Sequence, residues 1–241
     1  MKKNKPKVLG VTLARGGSKS IPNKNIQKIN GYPLIAHTII EAKKSKYLTR
    51  YIVSTDSKKI RNVAMKFNAD VPFLRPKRLA SDTSTALEAD QHALEFVEQE
   101  EGVKYDYFVE LMATNPMKTS IDIDNAIEKL IITGADSVIG VTKLDDHHPV
   151  RIKKIEKDMI KDFCIKEIPE THRQQLKPDA YIRNGAIYAV KRNLLVSGKR
   201  YGTLNSRPYI MPSNKSVNID NKLDFLLAEI LIKKYHSNRF N

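Results

Sequence analysis

"KVLGVTLARGGSKSIPNKNIQKINGYPLIAHTIIEAKKS", residues 7–45, contains an apolar run, a basic glycine-containing loop and a helical pattern, in that order. The run "VLGVTLA" suits a buried strand, and "PLIAHTIIEAKKS" carries apolar residues at helical spacing. Between them, two glycines, two lysines and an arginine crowd into "ARGGSKSIPNKN", residues 14–25. Glycine lets the backbone turn to positive φ and approach a ligand closely, while nearby N–H groups and cations favour an anion. Arg15, Lys19 and Lys24 are thus suited to neutralise a triphosphate, with the Gly16 and Gly17 amides against its oxygens. A solvated turn would explain a lone Gly-Gly pair equally well, so the rest of the chain has to decide.

The same unit repeats. "RYIVSTD" precedes "SKKIRNVAMKFN", "YDYFVELMA" precedes "SIDIDNAIEKLIITG", and "ADSVIGVT" follows. Alternating strand and helix patterns imply an α/β fold: a doubly wound, mostly parallel, Rossmann-like sheet with helices on both faces. Such sheets bind ligands beyond the carboxyl ends of their strands, so the opening loop, "VSTD" and "MATNP" are expected on one rim. The rhythm breaks after Val141. Residues 143–182 carry a "DDHHP" turn, the alternating "VRIKKIEKDMIKDF" and no amphipathic helix, which reads as an inserted β-arm. Residues 1–142 and 183–241 then form the core. "GAIYAV" resumes it, and Leu223, Leu226, Leu227, Ile230 and Leu231 predict a closing core helix.

With 241 residues the chain can form one large domain plus an arm. Its 42 Lys and Arg against 27 Asp and Glu leave a charge of +15, which attracts polyanions of any kind. The lysines are dispersed and aromatics are few, which disfavours a nucleic-acid-binding module. Cys164 is the only cysteine, so no internal disulfide or Cys-rich zinc site can form, and a reducing compartment fits. "MKKNKPK" meets a short apolar run that ends at Arg15 without a cleavage-site pattern, and no stretch reaches about 18 apolar residues. A soluble cytoplasmic protein without membrane partners is expected.

Neither a P-loop nor G-x-G-x-x-G follows the first strand. Instead "ARGGSKSIPNKNI", "IVSTD", "FLRPKRLASDT", "RQQL", "NGAIY" and "YIMPSNKSVNID", in this order, resemble the acylneuraminate (sialic-acid-type) cytidylyltransferases, or CMP-sugar synthetases. The resemblance implies transfer of CMP from CTP to the anomeric hydroxyl of a nine-carbon sugar acid, with magnesium and release of pyrophosphate. It also implies a homodimer built through the inserted arm. In-line attack on an α-phosphorus needs mainly positioning and charge neutralisation, which the cations of the opening loop suit.

By this resemblance Arg15, Lys19 and Lys24 bind the triphosphate, and Asn25 lies near the nucleotide. Arg75, Ser84 and Ala86 fall at cytosine-contact positions, where a desolvated base needs its polar edge met. Ser81 or Asp82 also suits a helix cap there. Arg151, Arg173, Asn184 and Tyr188 match positions around the sugar, and an arginine suits its carboxylate. His147 and His148 read as turn residues before Pro149 rather than metal ligands.

Three departures stand out. "MATNPMK" replaces the usual "QPTSPLR", which puts Met112 where the family has a glutamine. Arg183 directly precedes Asn184, whereas the family has one spacer residue. The family's metal-binding Asp-x-Asp is "NID", leaving Asn218 and Asp220 for magnesium, with capping of the last helix as another role for Asp220. Asn218 and Met112 raise the alternative of a catalytically weak or inactive nucleotide-binding member of the same fold. The complete cation set in the opening loop favours the enzyme.

Overall fold

The computed structural model describes residues 5–144, 146–237 and 239–240; the first four residues of the charged N-terminal stretch lie outside them. In chain order the strands are β1 (Val8–Leu13), β2 (Lys28–Ile29), β3 (Tyr32–Pro33), β4 (Arg50–Ser54), β5 (Tyr107–Leu111), β6 (Ser137–Lys143), β7 (Lys153–Glu156), β8 (Met159–Asp162), β9 (Tyr181–Lys191) and β10 (Ser206–Ile210). The helices are α1 (Leu34–Lys44), α2 (Lys58–Lys66), α3 (Ala86–Glu101), α4 (Ser120–Thr133), α5 (Arg192–Val196) and α6 (Lys222–Tyr235).

Six strands form one sheet in the order β10-β6-β9-β5-β1-β4. All pairings are parallel except those of β9, which runs antiparallel to both β5 and β6. The two-residue period of each strand sends side chains to opposite faces. On one face Leu9, Val11, Phe108 and Val190 pack with Ala93, Leu94 and Val97 of α3. On the other, Val109, Leu111 and Val138 pack with Ile123, Ile127 and Leu130 of α4. Fully burying a side chain such as Phe108 or Leu111 contributes about 1.5–3 kcal/mol.

Helix starts follow local chemistry. Thr85 and Glu88 form a capping box on α3, and Thr119 and Asp122 form one on α4. Gly102 and Gly134 end these helices in the left-handed conformation. The cap of α3 is therefore Thr85, and neither Ser81 nor Asp82 fills that role. Likewise Asn221, not Asp220, caps α6: its side chain accepts from Leu223 N and Asp224 N.

The excursion from the sheet is slightly shorter than its sequence bounds. Lys143 still pairs with Tyr181, and Leu144 N donates to Ala180 O at 2.9 Å, so the chain leaves the core over 144–180. Within it β7 and β8 form a hairpin turned by Lys157 and Asp158 at positive φ. His148 is a turn residue: Nδ1 accepts from Val150 N, and Nε2 lies 2.9 Å from Pro178 O.

α6 differs from its expectation as a core helix. It packs through Phe225, Ala228, Leu231 and Ile232, while Leu223, Leu226, Leu227 and Ile230 are exposed. The apolar pattern spans more of the helix than is covered by the Ile21, Ile29, Leu34 and Met117 cluster beneath it, leaving a second stripe on the surface.

Candidate active site

A cavity of about 340 Å³ opens at the carboxyl ends of β1 and β5. It gathers Arg15 and Asn25 from the opening loop, Arg75 from the segment after β4, Ser84 and Ala86 from the start of α3, and Met112 from the loop after β5. Residues far apart in sequence thus meet because parallel strands deliver their following loops to one rim. A larger depression between α3 and α5 is lined by Gln91, Glu98 and Arg192, but its main charges already satisfy each other, with Arg192 Nε 2.6 Å from Glu98 Oε1.

The opening loop is held by its neighbours. Gly16 N donates to Asp56 Oδ1 at 2.9 Å, and a Cβ at Gly16 would lie 3.1 Å from Ser57 Cβ. Close approach to the β4 loop, rather than positive φ, explains this glycine; the left-handed residue of the loop is Asn23. The Gly16 amide is thus paired within the protein, whereas Gly17 is exposed with open space around it. Asn25 is buried and donates to Arg15 O at 3.2 Å, fixing the two ends of the loop together.

The cations stand in distinct surroundings. Arg15 and Lys19 both reach Asp82, whose carboxyl is held below its ordinary range by the hydrogen bond from Lys19 and the charge of Arg15. Lys24 donates to Ile219 O at 2.7 Å and lies 3.7 Å from Asp220 Oδ1, which ties the opening loop to the segment before α6. Arg75 is 5% exposed, and its Nε has no hydrogen-bond partner. Burial lowers its pKa, partly offset by Asp56, Asp90 and Glu110.

Behind the cavity, the buried Lys118 braces the rim loop, donating to Met112 O at 2.6 Å, Asn115 O at 2.7 Å and Thr38 Oγ1 at 2.9 Å. Asn115 Nδ2 in turn donates to Asn184 O and Lys215 O. Arg239 closes this region from the C-terminus, donating to Pro116 O and to Lys118 O, with Glu41 Oε1 3.3 Å from its Nε.

Asn218 and Asp220 are adjacent, with Asn218 Nδ2 donating to Asp220 Oδ2 at 2.7 Å. Asn218 Oδ1 is buried without a partner, and a Cβ on Gly185, which has φ +66°, would lie 3.1 Å from it. A carboxylate and an amide oxygen are hard donors that suit magnesium held mainly by phosphate oxygens and water. Among the described residues no three His, Cys, Asp or Glu side chains cluster as a metal site of their own.

The expected sugar positions are not all brought together. Asn184 and Tyr188 are buried on β9; Asn184 Nδ2 donates to Ser216 Oγ, and the guanidinium of Arg200 lies 5.0 Å from the centre of the Tyr188 ring. Arg183 instead covers Tyr201 at 4.6 Å. Arg151 and Arg173 line a separate depression on the arm, with Glu167, Glu170 and His172.

Sequence reasoning did not single out Glu110, Asp90 and Arg200. Asp90 and Glu110 are buried, and both pair with the Arg200 guanidinium. Burial raises the pKa of each carboxyl, with Arg200 opposing it. The signal was a glutamate inside the apolar strand "YFVEL", since a buried charge needs a partner.

A family model described as cytidylyltransferase matches residues 9–218. Post-translational flagellin modification protein B of Campylobacter coli is 34% identical over 94% of this chain and 95% of that protein. The CMP-N,N'-diacetyllegionaminic acid synthase of Legionella pneumophila is 32% identical over 94% and 97% of the two chains. The pseudaminic acid cytidylyltransferase of Campylobacter jejuni is 30% identical over 97% of this chain and the whole of that one. A CMP:2-keto-3-deoxy-manno-octonic acid synthetase complexed with CTP shares the fold with a TM-score of 0.69, at 15% identity and coverage of 95% and 99%. The chain therefore belongs to the cytidylyltransferase family.

Proposed function

We propose that this enzyme joins CMP from CTP to a nonulosonic, nine-carbon sugar acid and releases pyrophosphate. The observation that carries the reading is the cavity at the rim of β1 and β5, where the buried Arg75 stands without an ion-pair partner among the described residues. Relatives named for CMP transfer to legionaminic and pseudaminic acids support the substrate class.

In this reading the base enters between Arg75, Ser84 and Ala86, where small side chains leave room for a pyrimidine. The phosphates extend over the opening loop toward Arg15, Lys19 and Lys24. The anomeric oxygen of the sugar attacks the α-phosphorus; the bond to the β-phosphate oxygen breaks, and that oxygen leaves with the electron pair as pyrophosphate. The three cations offset charge that moves from the α-phosphorus to the leaving group. Asp220 and the Asn218 amide oxygen would hold magnesium, which when bound supplies further neutralisation of the phosphates.

The reading includes a homodimer. Ile155, Ile160, Phe163 and Ile168 on the arm are all more than 60% exposed, and a two-stranded hairpin cannot bury such residues alone. Arg151 and Arg173 lie on this arm, so contact with another copy's cavity would give them access to a sugar carboxylate. Among the described residues no helix is long and apolar enough to cross a membrane. The lone Cys164 fits a reducing compartment, and we assign the reaction to the cytoplasm. Pyrophosphate release from CTP, measured against ATP and GTP with a panel of nonulosonic acids, tests the function.

A further inference from the structure

Glu110 lies near the end of β5, opposite Tyr188 of β9, on the sheet face that carries Phe108 and Val190. Its side chain therefore points toward α3 and the cavity, which it lines together with Arg75, Ala86 and Ala89. One carboxylate oxygen, Oε2, accepts from Arg200; Oε1 accepts no hydrogen bond among the described residues. Arg200 also binds Asp90 Oδ2 at 2.9 Å and covers the ring of Tyr188, so it fixes the orientation of Glu110.

Two adjacent groups thus face one cavity with hydrogen-bonding capacity left over: a guanidinium that can only donate and a carboxylate that can only accept. Such groups are costly to bury unless a ligand completes them. Burial pushes both carboxyls of the Asp90–Glu110 pair upward, and Asp90, the more deeply buried with Oδ1 unpartnered, is raised well above its ordinary value. Arg200, bonded to both carboxyls, opposes the effect of burial on each, and its contact with Glu110 Oε2 leaves Oε1 as the acceptor turned to the cavity.

We propose that Glu110 reads the base: its carboxylate accepts the exocyclic amino group of cytosine while Arg75 donates to the ring nitrogen or carbonyl beside it. The assignment rests on the reading of this cavity as a pyrimidine nucleotide site. Cytosine presents a donor next to acceptors and completes both groups. Uracil places a carbonyl against the carboxylate, which makes that contact repulsive, and replaces the ring-nitrogen acceptor by an N–H, which leaves Arg75 only the C2 carbonyl that both bases share. Glu110 is then a specificity-determining residue, and Arg200 and Asp90 position it.

The test is calorimetric titration of the wild-type protein and Glu110→Gln with CTP, UTP and the triphosphate of pyrimidin-2-one riboside, which lacks the amino group. Wild-type protein is expected to bind CTP about tenfold or more tighter than the pyrimidinone analogue and about a hundredfold tighter than UTP. Glu110→Gln, whose amide can donate to the uracil carbonyl, is expected to lose about tenfold or more of the CTP-to-UTP preference. Equal wild-type affinity for CTP and the pyrimidinone analogue overturns the proposal, and this arm needs no variant to fold. An unchanged preference in a folded Glu110→Gln protein overturns it as well. In both cases CTP binding survives, so the nucleotide reading stands; wild-type protein that binds no pyrimidine triphosphate would overturn that reading itself.

Discussion

Lys19 Nζ lies 2.8 Å from Asp82 Oδ2, and the other oxygen of the same carboxylate lies 3.1 Å from Arg15 Nη1. One carboxylate thereby occupies two cations assigned to the triphosphate. Asp82 holds the segment before α3 against the opening loop, and an incoming phosphate would compete with it. Because the groups are exposed, the contact is weak and screened by salt. Asp82→Asn is expected to tighten CTP binding about two- to fivefold at low ionic strength, with the gain vanishing at high salt. Titration calorimetry at two salt concentrations checks this; a weaker affinity in the variant would assign Asp82 to nucleotide binding instead.

Lys24 and Arg173 divide the work in this account. Lys24 touches the segment that carries Asp220, whereas Arg173 lies on the arm. Lys24→Ala is expected to lower kcat by about 10²–10³-fold, as for loss of a group that stabilises moving charge. Arg173→Ala is expected mainly to raise the KM for the sugar acid. Steady-state kinetics with each substrate varied would show the division, and identical damage from both changes would remove it.

Asp220 supplies the one carboxylate next to Asn218, and its null effect on helix capping makes a clean test because Asn221 fills the cap. Near-complete loss of activity is expected in Asp220→Asn. Asn218→Asp adds a second charge and is expected to lower the magnesium concentration needed for half-maximal activity. Magnesium titrations of both variants check this, and full activity of Asp220→Asn at limiting magnesium would place the metal elsewhere.

The opening-loop rim and the parallel core were legible because strand-helix alternation and basic residues after β1 are local signals. The surface stripe of α6 was not: Leu223 and Ala228 follow the same helical pattern, and only tertiary packing decides that Ala228 is buried and Leu223 exposed. The cap of α3 fell three or four residues, and that of α6 one residue, from the expected ones because several residues capable of capping stand close together, and the capping boxes with Glu88 and Asp224 select among them. Gly16 carries a steric reason, the approach of Ser57, that no spacing in the chain reveals. The Asp90–Arg200–Glu110 group joins three distant segments, so only the fold brings it together.

The region behind the rim loop predicts a pH dependence of stability. His37 is buried, with Nε2 3.2 Å from Ile29 O and its ring 4.8 Å from that of Phe240. Burial, Arg239, His236 and Lys118 push its pKa down to about 3, and burial and Arg239 push His236 down to about 4. Both histidines fold neutral while the unfolded chain takes up their protons. Their contribution is therefore complete above the unfolded value of 6.5 and is lost progressively as the pH falls toward about 3. Thermal unfolding followed between these limits should show a falling Tm, with a shallower slope in His37→Phe; identical slopes would rule out His37 as a source.

The exposed apolar residues of the arm predict the oligomeric state. The double change Ile160→Glu with Phe163→Glu is expected to convert a dimer to a monomer in light scattering at micromolar concentration, without a change in far-ultraviolet circular dichroism. A wild-type protein that is monomeric under the same conditions would refute the arm interface.

CMP transfer in the cavity lined by Arg15, Arg75 and Glu110 would be visible as pyrophosphate release. The purified protein with magnesium, CTP and a nonulosonic acid should release pyrophosphate in step with formation of a CMP-sugar, and ATP or GTP should not replace CTP. Absence of pyrophosphate with every acid of the panel, from a protein that binds CTP, or equal turnover of purine triphosphates, would contradict the account.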